Sequence, residues 1–406
     1  METTVPAATA TTSSSVGHGA GGGAARVLLL PYPGAQGHTN PMLQLGRRLA
    51  YHGLRPTLVA TRYVLSTTPP PGAPFVAAAA FFSQPCAVDV VYGELWAGRL
   101  ALPATDGRAL LARGALGVEL GPEDMPPFAA VPESQPLFLK VSVGQFEGLE
   151  DADDVLVNSF RDLEPKEAEY MELTWRAKMV GPTMPSFYLD DDRLPSNKSY
   201  GFNFFNGDAL CMDWLEKQSN SSVVLVSYGT VSNYDATQLE ELGNGLCNSD
   251  KPFLWVVRSN EEHKLSKELR EKCEKIGLIV SWCPQLEVLA HRAIGCFVTH
   301  CGWNSTLEAL ANGVPLVGIP HWADQPTIAK YMESAWSMGV RVRKDNNGYL
   351  KMEEVERCIR EMMDVERNDK YKRNAVKWMQ KAKEAMREGG SSDKNIAEFA
   401  TKYSSI

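Results

Sequence analysis

The sequence predicts two doubly wound α/β domains facing each other across a cleft, and three observations lead there. Short apolar runs of strand length alternate with amphipathic segments of helix length along most of the chain. The alternation comes in two series, separated by a stretch rich in Pro, Ser, Asn and Asp. With 406 residues, 44% hydrophobic and 22% charged, the chain is long enough for two soluble domains of ordinary composition.

Charge and cysteine usage narrow the function. A net charge of −8 with no lysine/arginine cluster argues against a nucleic-acid partner or an anionic membrane surface. The eight cysteines form no C-x-x-C pair and several sit in apolar runs, so free buried thiols in a reducing compartment are expected. No apolar run approaches the ~20 residues of a membrane span, so no stable membrane anchor is expected. Residues 1–25 are Ala, Thr, Ser and Gly without an apolar core, which reads as a disordered tail rather than a signal peptide. A cytoplasmic, monomeric protein is the expectation.

The first series spans residues 26–182. Arg26 to Leu30 is a strand that enters the loop Pro31-Tyr32-Pro33-Gly34-Ala35-Gln36-Gly37-His38. Asn40-Pro41 reads as an N-cap with proline at the first helical position. The helix then carries Met42, Leu45 and Leu49 on one face to about His52-Gly53. Arg55 to Ala60 is the next strand. Only fifteen residues then separate Ala60 from the apolar run Val76 to Phe82, and they include Pro69-Pro70-Pro71-Gly72-Ala73-Pro74. A parallel crossover needs a dozen or more residues, usually helical, and these prolines cannot supply a helix. The domain therefore reads as incomplete. Asp89 to Trp96 reads as a helix, Gly121 to Pro127 as a loop, Val155 to Phe160 as a strand, with a helix from Pro165.

Residues 183–206 read as the linker, and 207–390 hold the second series. Its helices are expected at Cys211–Lys217, Ala236–Leu246, through much of Glu261–Lys275, and at Met352–Met363 and Asp369–Glu388. Its strands are expected at Val223–Ser227, Phe253–Val257 and Leu278–Trp282. A short helix within 391–406 closes the chain. The densest stretch runs from Trp282 to Gln325. There Gly295 to His300 is a buried strand and Cys301 to Asn304 a tight turn. A helix is expected from Ser305, where Ser305-Thr306-Leu307-Glu308 fits a capping box, until Asn312-Gly313; Val314 to Ile319 is the next strand. A strand, a glycine turn and a helix N-terminus make an anion site, because unpaired backbone N–H groups point at it.

This stretch, WCPQLEVLAHRAIGCFVTHCGWNSTLEALANGVPLVGIPHWADQ, resembles the 44-residue signature of plant family 1 UDP-glycosyltransferases in its opening, centre, close and spacing. The Pro33 to His38 loop, Val155 to Leu163, Cys211 to Glu216 and Val224 to Gly229 are similar to the family too, and the chain is most similar to cereal enzymes that glucosylate trichothecenes. The resemblance implies a GT-B fold with an N-terminal acceptor domain and a C-terminal UDP-sugar domain. It also implies a detoxifying role in plant secondary metabolism. The expected reaction is inverting, metal-independent transfer of a sugar, glucose on the strength of Gln325, from UDP-glucose as co-substrate to a small hydroxylated acceptor.

Carried onto this chain, the resemblance implies that Trp282 stacks on uracil with Gln285 at its edge. It implies that Thr230, His300, Asn304, Ser305 and the Trp303 backbone hold the diphosphate, and Glu308 the ribose. Asp324 and Gln325 would take the sugar hydroxyls and His38 would be the base. Simpler roles compete: a helix-capping histidine for His38, the capping box for Ser305 and Glu308, an N-cap for Asp324 or Gln325, a core aromatic for Trp282.

The family pairs its base histidine with an aspartate that the proline-rich gap leaves no room for, and Asp89 is not that partner. A non-catalytic UDP-sugar binder, or slowed transfer, is therefore the alternative. A Rossmann dehydrogenase is disfavoured because the first loop lacks G-x-G-x-x-G.

Overall fold

The computed structural model describes residues 25–31, 36–58, 78–200, 210–229, 234–364 and 368–404. The predicted tail up to residue 24, the proline-rich crossover and Thr230 lie outside the described residues.

In the N-terminal half, β1 (Arg26–Leu29) and β2 (Arg55–Leu58) form one parallel pair. A separate parallel sheet has the order β3 (Ala79–Phe82), β4 (Asp154–Val157), β5 (Ala177–Met179). In the C-terminal half, six strands form one parallel sheet. They are β6 (Val223–Ser227), β7 (Phe253–Val256), β8 (Leu278–Val280), β9 (Ile294–Thr299), β10 (Leu316–Gly318) and β11 (Gly339–Arg341). Their order, β8-β7-β6-β9-β10-β11, is that of a Rossmann sheet, with the reversal between β6 and β9. Every residue of β6 and β9 is buried, as a strand covered by helices on both faces must be.

Two helix starts differ from expectation. The first helix runs Gln36–Tyr51 with Pro41 inside it, rather than starting at Asn40. Proline lacks an N–H for the carbonyl four residues earlier, which is that of Gly37. Asn304 of the C-terminal half donates its Nδ2–H to that carbonyl at 2.7 Å, so a tertiary contact satisfies what the proline leaves open. The helix after β9 is Trp303–Ala311, capped by Gly302, with no side-chain cap bond. Cys301 adopts φ +64 and Gly302 is extended, so the chain turns within two residues of β9 and the helix begins before Ser305. The capping box is therefore not formed. Asn312 is the C-cap, and Gly313 follows at φ +67, as expected.

Strands β5 and β11 and the helices Arg108–Ala112, Pro136–Gly144 and Gln285–Leu289 were not expected from the sequence pattern. The closing helix Ser391–Ser404 has 14 residues and packs back on the N-terminal half. Tyr403 and Lys402 donate to Asp154 Oδ2 at 2.5 and 2.8 Å, and Ser392 Oγ donates to the Gly181 carbonyl at 2.7 Å. The connecting stretch is packed as well. Met184, Tyr188 and Leu189 are buried, and Asp191 accepts from Arg48 at 2.8 Å in a buried ion pair. Arg193 bridges Asp191 and Asp393 at 2.8 and 2.9 Å. All eight cysteines are free and buried, as expected.

Candidate functional site

In open α/β sheets a ligand binds beyond the carboxyl ends of the strands where strand order reverses. Here that point lies past Ser227 of β6 and Thr299 of β9. His300 follows β9, and two glycines make room for its ring. A Cβ on Gly229, itself at φ +76, would lie 2.7 Å from His300 Nε2, and one on Gly302 would collide with the same atom. Burial lowers the His300 pKa to about 4, so the ring is neutral at pH 7 and offers an N–H rather than a full charge.

The N-terminus of the Trp303–Ala311 helix stands beside it. On the helix, Ser305 Oγ accepts from Gln285 Nε2 at 3.0 Å, and Glu308 Oε2 accepts from the same nitrogen at 2.7 Å. Tyr200, from the connecting stretch, donates its hydroxyl to Glu308 Oε1 at 3.0 Å. Burial raises the Glu308 pKa to about 7, against the two hydrogen bonds that favour the carboxylate. Gln285 is the first residue of the Gln285–Leu289 helix, and half-buried Trp282 precedes it on the loop leaving β8. Gln285, Ser305 and Glu308 are thus one connected polar cluster.

Asp324 is the N-cap of the Gln325–Glu333 helix but makes no side-chain cap bond. Burial raises its pKa to about 7, opposed by the backbone N–H groups of Asp324 and Trp303. Gln325 Oε1 accepts from the backbone N–H groups of His321 and Trp322 at 2.9 and 3.2 Å. The turn before it holds Ala323 at φ +55. Cys301 and Ala323 are both non-glycine residues in the left-handed region, at a cost of order 1–3 kcal/mol each, and both border the predicted site. Trp322 meets Phe128 and Phe138 of the N-terminal half edge-on, with centroids 5.8 and 5.4 Å away.

In the N-terminal half, His38 lies in the first turns of the Gln36–Tyr51 helix. Its Nδ1 hydrogen-bonds Ser83 Oγ at 2.7 Å, and burial lowers its pKa below 6.5. Asp89 is fully buried on the Cys86–Trp96 helix, with both carboxyl oxygens lacking a hydrogen-bond partner. It is therefore not bonded to His38. The Asn304–Gly37 contact links the two halves one residue from His38. Trp303 adds a second link, its Nε1–H donating to the Asn158 carbonyl at 2.8 Å.

Sequence reasoning missed Ser83, Tyr200 and the Phe128–Phe138–Trp322 aromatic cluster. Ser83 carried a usable signal, because it directly follows β3, at the end of a parallel strand where ligands bind. Tyr200 and the aromatics carried none, because each meets its partners only through tertiary packing.

The chain is similar to known proteins over most of its length. The family described as UDP-glucoronosyl and UDP-glucosyl transferase matches residues 206–384. A UDP-glucosyltransferase of Hordeum vulgare subsp. vulgare is 75% identical over an alignment of 475 residues covering 100% of both chains. UDP-glycosyltransferase 79 of Oryza sativa subsp. japonica is 62% identical over 93% of this chain and 97% of its own. The crystal structure of Os79 from O. sativa in complex with UDP superposes with a TM-score of 0.88 at 62% identity, over 93% of this chain and 100% of that one. Os79 has also been solved with UDP and deoxynivalenol-3-glucoside.

Proposed function

The chain belongs to the plant family 1 UDP-glycosyltransferases, with the GT-B fold, and from that premise we propose that it transfers glucose from UDP-glucose to a hydroxyl of a small apolar acceptor. The observation that carries the reading is the joined polar cluster at the β6/β9 switch point, tied through Asn304 to the loop-helix junction that presents His38. The proposed donor contacts follow the expectations above. Trp282 and Gln285 face uracil, Glu308 the ribose, and Asp324 and Gln325 the glucose. His300, Asn304, Ser305, the Trp303 backbone and Thr230 serve the diphosphate.

Transfer requires a base, an in-line approach and stabilisation of the leaving group. His38 takes the acceptor hydroxyl proton on a ring nitrogen while the acceptor oxygen forms its bond to the anomeric carbon. The bond from that carbon to the β-phosphate oxygen breaks on the opposite face, and its electron pair leaves with UDP. The configuration inverts. Charge growing on the diphosphate is met by the neutral His300 N–H and the N–H groups opening the Trp303–Ala311 helix, a preorganised positive end. Trp322, Phe128 and Phe138 supply an apolar face, which favours an acceptor with a hydrocarbon skeleton. A trichothecene is the first candidate, given deoxynivalenol-3-glucoside in the Os79 complex.

A second reading, a UDP-sugar binder with slowed or absent transfer, also has support. The 475-residue alignment takes in all 406 residues here, so the barley relative carries residues without a counterpart in this chain. Among the described residues the N-terminal strands fall into two unjoined ladders. Mass-spectrometric turnover with UDP-glucose and a panel of small alcohols and phenols, alongside a UDP titration followed by tryptophan fluorescence, separates the two. Glucoside formation supports transfer; UDP binding without any glucoside supports the binder. The proposed protein is a cytoplasmic monomer, which sedimentation and fractionation test.

A further inference from the structure

A histidine base needs its far nitrogen held, or the ring turns and the wrong tautomer faces the substrate. In serine hydrolases a buried carboxylate does this, and replacing it by an amide costs about 10⁴ in kcat through the tautomer alone. The partner found at His38 Nδ1 is different: a serine hydroxyl at 2.7 Å. We propose that Ser83 is the positioning residue of His38, its oxygen accepting from Nδ1–H so that Nε2 is the nitrogen offered to the acceptor hydroxyl. The proposal rests on the transferase reading for its catalytic consequence, though not for its geometry.

Three features of the fold support the assignment. Ser83 directly follows β3, whose pairing with buried β4 fixes where the strand ends. The chain then meets Pro85 and the Cys86–Trp96 helix, whose first two N–H groups donate to Glu164 at 3.0 and 2.9 Å. Ser83 therefore stands on a short segment pinned at both ends, which suits an orienting group. On the other side, His38 belongs to a helix whose freed Gly37 carbonyl is held by Asn304. Both partners of the 2.7 Å bond are anchored.

A hydroxyl differs from a carboxylate in one respect that can be measured. It orients the ring but brings no negative charge to stabilise the imidazolium formed when the proton arrives. The His38 pKa accordingly moves down with burial. The base is then free at lower pH but weaker as a proton acceptor, so transfer is slower than a carboxylate-backed histidine would allow.

The test uses the full chain and three substitutions, Ser83→Ala, Ser83→Thr and Ser83→Asp, with UDP-glucose and the best acceptor of the panel. Loss of the hydroxyl should lower kcat by about 10–100-fold, with KM changed less than about twofold. Thr, which keeps the hydroxyl, should restore most of kcat. Asp should move the acid limb of the pH–rate profile to higher pH by about one unit, because a carboxylate favours the imidazolium. Nitrogen-15 NMR of His38 in the unsubstituted protein should find the proton on Nδ1. Parental kcat and pH profile in Ser83→Ala, or a proton on Nε2, would overturn the assignment. If the unsubstituted protein binds UDP but glucosylates nothing, the transferase reading fails, while the tautomer still decides what Ser83 does.

Discussion

The two halves of this molecule are built from the same unit, a parallel strand followed by a helix, yet among the described residues their strands are joined differently. In the C-terminal half six strands form one sheet and all five residues of β6 are buried. In the N-terminal half the described strands form a pair and a triplet, and on β1 only Leu29 is buried while Leu28 is 64% exposed. A parallel strand ordinarily has both faces covered, so β1 is the exception and β6 the rule. The contrast separates two kinds of site. Most of the proposed donor site comes from neighbouring βα units of one continuous sheet, so it is whole wherever that sheet is whole. The proposed acceptor side depends on the other half, and its proposed base, His38, is held by contacts that cross between segments distant in sequence.

The comparison can be broken most sharply at the base. His38→Ala should cut glucoside formation by about 10²–10⁴-fold while leaving UDP affinity within about twofold, as read by turnover and tryptophan fluorescence. A matching loss of UDP affinity would mean that the halves do not divide the work as described.

At Glu308 the prediction is reversed, with binding affected first. Glu308→Gln should weaken UDP binding by about 10-fold, the value of one good charge-assisted hydrogen bond. It should also change the pH dependence of stability. The folded Glu308 pKa, about 7, is raised above its ordinary value of 4.5, so its stabilising contribution is full below about pH 4.5 and is lost as pH rises through 7. The amide does not titrate. Relative to the parent, Glu308→Gln should therefore gain thermal stability between pH 5 and pH 8; an unchanged difference would remove burial as the cause.

Asn304→Ala should affect both halves. It removes the bond to the exposed Gly37 carbonyl, which water then takes over, so the cost is that of one ordinary hydrogen bond, about 0.5–1.5 kcal/mol. Expected are a fall in kcat of about tenfold and faster amide exchange in the Gln36–Tyr51 helix. Exchange protected as in the parent would mean that the contact does not hold that helix.

The smallest effect concerns stability without substitution. Amide exchange should be faster in β1 and β2 than in β6 and β9, since local opening is easiest where few apolar groups are covered. UDP at about 100 times its Kd should add about 2.7 kcal/mol to the C-terminal half. If it protects β1 as strongly, the two halves unfold as one.

Much of this was legible without coordinates, and unevenly so. In the second series the strands Val223–Ser227 and Phe253–Val256 and the helix Met352–Met363 follow the expected segments closely, because long apolar runs and clear helical periods are local signals. Strands β5 (Ala-Lys-Met) and β11 (Gly-Val-Arg) were not seen because neither is an apolar run, whereas β8 and β10, equally short, lie within longer apolar runs. The capping box at Ser305 misled for a related reason. Its motif is compatible with a helix start, but the left-handed turn at Cys301 starts the helix two residues earlier and frees Ser305 for Gln285.

The sequence by itself determined the family, the doubly wound C-terminal sheet and the βα stretch from Trp282 to Gln325, since these rest on residues close together in the chain. Tertiary structure alone decided what holds each of them. Ser83 meets His38 across 45 positions, Tyr200 meets Glu308 across 108, and Asn304 meets Gly37 across 267. Hydrogen bonds between segments that far apart leave no periodicity and no spacing in a sequence. They exist only once the sheets have set the distances.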